Sequence, residues 1–360
     1  MESQRPLGLL IRRPFIRSIE ADRRLEAFLV TAVASILAIR FTLEMTGYPQ
    51  LGGGGLHIAH VLLGGFFMMA SIVILLAYLD EYSRDLAAVI GGFGFGAFID
   101  ELGKFITCDN DYFFQPTIAL IYITFVLLYL GFQAINGKRD LTPEERAINV
   151  LEIAKSAILN DMDIQDRHRA LDLLQDGDPP HPLAPALKEM LDATLAVPAQ
   201  SPGTYKRLKE TARRIYLGLV RKRWFTTAVV AAFVLVSLLS LLDTLVLVTI
   251  KMLESMLEME LVSLTTTEWL STASLALAAL MVLRGVLIIH KDRLQAYRRF
   301  KRAVLVQIFL VQVFSFYADQ LYAIFGLSTN ILTLAVLRYM IRQEEEIEEQ
   351  AISKAGRIAK

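Results

Sequence analysis

Residues 86–116 read LAAVIGGFGFGAFIDELGKFITCDNDYFFQP, and this stretch decides the fold. Its first half is a membrane-type helix built from small and apolar residues. Its second half sets Asp100, Glu101 and Lys104 inside the same apolar run, and Asp109, Asn110 and Asp111 follow. An ionisable group in hydrocarbon costs about 3 kcal/mol on insertion scales, so it stands where something else requires it. At helical spacing, Gly92 and Gly96 form a small-xxx-small face that lets a neighbouring backbone approach closely. Asp100 continues that face by one turn and Lys104 by another, which points Asp100 into a bundle. Gly94 and Ala97 prepare a second small face leading to Glu101. Such a helix belongs at the centre of the molecule.

The rest of the chain agrees with a membrane setting. Hydrophobic residues make up 54% of 360, and the mean hydropathy of +0.45 points to a polytopic membrane protein whose first partner is the lipid bilayer. Formal net charge is zero, which argues for no nucleic-acid partner. Cys108 is the single cysteine, so an internal disulfide and a cysteine-built zinc or iron–sulfur site are excluded. The first apolar patch, 7–11, is too short and too arginine-flanked for a signal peptide.

A spanning helix needs roughly 20 mostly apolar residues. Segments 27–46, 56–79, 86–106, 117–135, 225–250, 269–290, 303–325 and 328–342 qualify, the last being the shortest. The connections 47–55, 107–116 and 326–327 carry no Lys or Arg, and 251–268 carries only Lys251 among four glutamates. Opposite them lie the arginine-rich residues 1–26, the turn 80–85, the insert 136–224 and the strongly basic 291–302. Alternation across about eight spans then places both termini in the cytoplasm. The expected fold class is all-α: a polytopic membrane helix bundle in two four-helix halves, 27–135 and 225–342. A cytoplasmic helical insert, 136–224, separates the halves, and a charged tail, 343–360, ends the chain.

Within the insert, Thr142-Pro143-Glu144-Glu145 reads as an N-cap, a first-turn proline and acidic dipole partners, opening a helix to about Asn160. Breaks at 176–185 and 198–203 imply two or three further helices, the last running from Tyr205 into the fifth span. The halves also share a local match. Phe95, Gly96, Asp100, Glu101 and Leu102 align with Phe314, Ser315, Asp319, Gln320 and Leu321, as internal duplication with parallel halves would produce.

Most intramembrane charge falls toward the extracytoplasmic face: Arg40 and Glu44 in span one, Asp100, Glu101 and Lys104 in span three, Asp243 in span five and Asp319 in span seven. Arg284 in span six lies instead nearer the cytoplasm. The plain reading is i,i+4 ion pairs, Asp100 with Lys104 and Arg40 with Glu44, or a cross-helix pair such as Arg40 with Glu101. His57 and His60 stand three apart on one helical face, where two imidazoles can share a metal. A lone H-x-x-H is more often hydrogen-bonded than metallated, but carboxylates at matching depth (Glu44, Asp100, Glu101) make Zn, Fe or Mn the candidate cofactors. GGFGFG lacks a preceding strand and is a packing device rather than a dinucleotide loop.

The runs HIAHVLLGGFFMMA (57–70) and GGFGFGAFIDELGKFITCDNDYFF (91–114) resemble a family of bacterial multi-pass membrane proteins. The resemblance spans the second to fourth segments and implies the bacterial cytoplasmic (inner) membrane. It implies no activity. From the residues, the leading expectation is a transporter or channel for an ion or small polar solute. Asp100, Glu101 and Asp319 would bind the cation or proton, with Lys104 and Arg40 as switching counter-ions. The alternatives are a metal-dependent membrane enzyme using His57, His60 and a carboxylate, and a ligand sensor acting through 140–223.

Overall fold

A computed structural model of the protein describes residues 15–46, 60–107, 114, 116–135, 141–158, 162–175, 181–194, 204–257 and 264–358. In chain order its helices are α1 (Ala21–Thr46), α2 (His60–Ala77), α3 (Glu81–Asp100), α4 (Leu102–Ile106), α5 (Thr117–Ile135), α6 (Pro143–Ile158) and α7 (Ile164–Gln175). There follow α8 (Ala184–Ala193), α9 (Thr204–Val220), α10 (Arg223–Leu257), α11 (Thr266–Ile288), α12 (Arg293–Val306), α13 (Gln312–Asp319) and α14 (Ala323–Ile358). The regular elements among the described residues are all helical. Among the described residues, six helical runs are long and apolar enough to cross a membrane: Ala21–Thr46, His60–Ala77, Thr117–Ile135, Arg223–Glu254, Thr266–Ile288 and Arg293–Glu346. Their apolar windows are only 11% to 28% buried within the chain. Apolar surface of that extent needs a covering such as a bilayer supplies.

The helices group into two compact units, Met1–Leu102 with Leu127–Ser201, and Gly103–Val126 with Pro202–Lys360. This division does not run between the fourth and fifth expected spans, since α5 contributes to both units.

In the first unit α3 is the centre, as its small residues lead one to expect. Asp80 accepts from the Ser83 backbone N–H at 2.8 Å and opens the helix at Glu81, ahead of the apolar run. On one face, a Cβ at Gly92 would collide with the Phe28 carbonyl and Thr31 Oγ1 of α1, and one at Gly96 with the Ala32 carbonyl and Ser35 Oγ. On another face, Gly64 of α2 rests on the backbone of Gly94 and Phe98. Hydrogen bonds tie both seams, Ser35 Oγ–H to the Phe93 carbonyl at 3.2 Å and Ser71 Oγ–H to the Ala87 carbonyl at 2.7 Å.

Helices α6, α7 and α8 close a small core around Val150, Met162, Ala170 and Leu191, with Ile19 packed against it. Thr142 and Glu145 form a reciprocal capping pair at 3.0 and 3.2 Å, which starts α6 where the sequence places it. This bundle is fastened to the rest of its unit by ion pairs from Arg17, ahead of α1, to Glu145 at 2.9 Å and from Arg84 of α3 to Glu152 at 2.6 Å. Lys155 Nζ adds a bond to the Leu79 carbonyl at 3.1 Å.

The second unit has a core around Val282, Phe300, Val304, Val336 and Leu337. Three boundaries differ from expectation. The helix from Thr204 does not run into the fifth span, because it stops at Val220 and α10 begins at Arg223 after a turn in which Lys222 N–H bonds the Leu219 carbonyl at 3.0 Å. Helix α10 continues through 251–257, which reads in sequence as part of a loop. The third difference is the reversal expected at 326–327. It occurs instead at 319–322, so Gly326 lies within α14. The run Arg293–Glu346 is therefore a hairpin of two arms. Gln312 Nε2 bonds the Ala323 carbonyl across its tip at 2.6 Å, and Arg298 meets Glu345 at 2.8 Å near its open end. A π-helical turn, Gln307–Val311, interrupts the first arm, and its Ile308 carbonyl accepts the Tyr122 hydroxyl.

Candidate functional site

Helix α3 does not run unbroken to Ile106, as its hydropathy implies. It ends at Asp100. Glu101 takes φ −87° and ψ 10°, with its N–H turned to the Ile99 carbonyl, and the short α4 follows. The break sends two consecutive carboxylates to different neighbours.

Asp100 faces α1, where Arg40 Nε–H donates to Oδ1 at 2.6 Å and Nη2 approaches the Asp100 carbonyl at 3.4 Å. Glu101 faces the beginning of α2. Its Oε1 accepts the His60 backbone N–H at 2.7 Å, and His60 Nδ1 lies 3.1 Å from the same oxygen. His60 is the first described residue of α2, and its N–H is given to a side chain. That N–H is one of the donors that a helix cannot satisfy internally, and the helix dipole favours an anion there. Glu101 thus caps α2 from the end of α3.

Both carboxylates have zero exposure, whereas the Arg40 and His60 side chains retain 12% and 20%. A carboxylate buried this fully costs several kcal/mol in effective desolvation if it is ionised, and hydrogen bonds from partners such as Arg40 and His60 reduce that cost.

The candidate residues divide as follows. Arg40, Asp100, Glu101 and His60 converge in the first unit. Glu44, one turn beyond Arg40, is exposed. Lys104 is half-buried in α4, and Asp319 is exposed at the end of α13; both belong to the second unit. Asp243 is exposed on α10. His57, Cys108, Asp109, Asn110 and Asp111 lie outside the described residues. Among the described residues no group of three or more His, Cys, Asp or Glu is placed to hold a metal ion, so of the expected metal set the geometry joins only His60 and Glu101.

Residue spacing left open which acid Arg40 would pair with, and the structure gives Asp100. The signal was present in the glycines: the helix seated on Gly92 and Gly96 is the one that meets Asp100, a turn further along that face. The aligned aspartates also share a local property. Helix α3 ends at Asp100 with a break at Glu101, and α13 ends at Asp319 with a break at Gln320. No protein-family model matches the chain, and no curated protein or solved structure matches it.

Proposed function

We propose that the protein is a multi-pass membrane transporter or channel for an ion or small polar solute, with Asp100 and Glu101 as its charge-binding centre. One observation carries the reading: two consecutive carboxylates are fully buried, and each is held by a basic side chain that keeps some exposure. A cation or proton arriving by way of Arg40 or His60 meets a carboxylate whose present partner it can displace. Arg40, tethered to α1, is the counter-ion that swings away and returns. His60 relays or releases a proton to Glu101.

The same proposal includes eight crossings. The run Arg293–Glu346 supplies two, as a hairpin, and α3, whose ends are charged, supplies another. The basic connections then lie in the cytoplasm with both termini, and Asp100 and Glu101 lie in the extracytoplasmic half. The resemblance of 57–70 and 91–114 to bacterial proteins supports an inner-membrane location.

The test is reconstitution of the full chain in liposomes under an imposed potential, with an internal pH dye and radiolabelled sodium as the two probes. Glu101→Gln and Asp100→Asn are expected to cut the flux at least tenfold, while Leu76→Ala, on an exposed apolar surface, leaves it unchanged. A folded Glu101→Gln protein moving both ions at the parental rate would sink the proposal.

A sensor reading also has a specific observation behind it. Helix α3 carries the buried carboxylates at one end and, at the other, Arg84, which is paired to Glu152 of the bundle α6–α8. Hydrogen exchange in α6 that changes in Glu101→Gln would favour it, and unchanged exchange would exclude it.

A further inference from the structure

Arg284 stands apart from the other intramembrane charges, and it belongs to a second constellation. It lies on α11, four residues before the helix ends at Ile288. The chain turns and returns as α12, and the two helices are pressed together where Phe300 covers Gly285, a Cβ at which would lie 2.5 Å from the phenyl ring. That contact sets the register. It brings Arg284 beside Arg299 and Arg302, and the three guanidinium side chains line an open cleft of about 440 Å³. Arg299 Nη1–H donates to the Arg284 carbonyl at 3.2 Å, which holds one wall in place.

Three like charges converging on one cleft repel each other unless an anion joins them. Among the described residues no carboxylate is ion-paired with Arg284, Arg299 or Arg302, although the adjacent Arg298 has its own partner in Glu345. The surroundings then identify the kind of anion. On α11, Leu277 and Leu280 occur seven and four residues before Arg284, so both share its face. Each is 48% exposed. An exposed apolar stripe that ends in a cluster of guanidinium groups has two parts, one matching acyl chains and one matching a phosphate oxyanion.

We propose that Arg284, Arg299 and Arg302 form a binding site for the phosphate of an anionic phospholipid, whose acyl chains lie along Leu277 and Leu280. The site rests on α11 crossing the bilayer and is independent of ion flux through Asp100 and Glu101. The guanidinium forks take the phosphate oxygens in paired hydrogen bonds, which a lysine ammonium cannot reproduce. Inorganic phosphate shares the oxyanion chemistry but lacks the chains, so it separates the two sources.

The experiment is native mass spectrometry of the full chain in detergent, titrated with short-chain phosphatidylglycerol, short-chain phosphatidylcholine and inorganic phosphate in separate arms. The parent is expected to retain phosphatidylglycerol at least tenfold better than the other two probes. Arg302→Gln, which removes no protein contact named above, is expected to weaken that retention about tenfold, and Arg284→Lys to weaken it several-fold at unchanged charge. Arg298→Gln is the control and is expected to bind as the parent does. Equal retention of phosphatidylglycerol by the parent and Arg302→Gln, with matching melting curves, would overturn the site. Inorganic phosphate binding as tightly as the lipid and displacing it would overturn the lipid assignment. Because the readout is adduct mass, it is unaffected by whether the protein conducts.

Discussion

Replacing Gly64 with alanine tests the idea that glycine contacts at α3 hold the buried carboxylates in place. A Cβ at Gly64 would lie 2.5 Å from Phe98 N and 2.7 Å from the Gly94 carbonyl oxygen, against 3.4 Å for ordinary contact. The obstruction is backbone, which cannot rotate away, so α2 must retreat by about 0.7 to 0.9 Å. Overpacking of this kind costs about 1–3 kcal/mol. Its neighbour supplies the control, because a Cβ at Gly65 meets nothing within 4 Å. Alanine at either position gains the same helix propensity, about 1 kcal/mol, so the difference between the two variants isolates the steric cost. Equilibrium unfolding in mixed micelles should place Gly64→Ala about 1–3 kcal/mol below Gly65→Ala. The displacement also reaches the site. Gly64 is one turn from His60, so the same retreat stretches the 2.7 Å bond from His60 N–H to Glu101 toward about 3.5 Å, where little of it survives. Gly64→Ala should therefore lose flux as well as stability, and Gly65→Ala neither. Equal stability in the two variants would refute the reasoning.

Three other outcomes are expected. The Glu145 carboxyl is held down to about 2 by hydrogen bonds from the Arg17 side chain and then from the Thr142 and Arg17 backbone, against the opposing effect of burial. A depressed carboxyl contributes its full stabilisation above the ordinary value of 4.5 and loses it as pH falls toward about 2; hydrogen exchange in α6 should accelerate through that window in the parent but not in Glu145→Gln. Gln320 has φ 49°, a conformation that favours glycine, so Gln320→Gly should raise unfolding stability by about 1 kcal/mol, and a loss would show that its side chain matters more than its backbone. The metal alternative is tested by elemental analysis of the purified protein beside His57→Ala/His60→Ala: near-stoichiometric Zn, Fe or Mn lost in a folded variant would make it the favoured reading, whereas metal-free parent protein would retire it.

What could be read in advance was what depends on local spacing. The apolar helix at 117–135, the cap at Thr142 and the Gly92/Gly96 face are all written in residues within a turn or two of each other. The break at Glu101 was not legible, because it falls inside an apolar run that reads as continuous helix through Gly103, and the partner that Glu101 takes there, His60, is 41 residues away. Pairing of Arg40 with Asp100 has the same character, since i,i+4 spacing offers Glu44 and Lys104 equally well. At the hairpin tip, the gap between the apolar runs fell in the wrong place. Gly326 is accommodated inside α14, while the reversal falls on Asp319-Gln320-Leu321-Tyr322, a segment with no turn-forming pair, closed from outside by Gln312.

The position of Glu101 makes its charge a mechanical part. The same Glu101 oxygen that faces the His60 ring also anchors the His60 amide at the described start of α2, so removing it slackens that end of the helix. On the proposed function, a cation or proton that displaces this contact also loosens the helix it holds. Chemistry and displacement at this point are one variable.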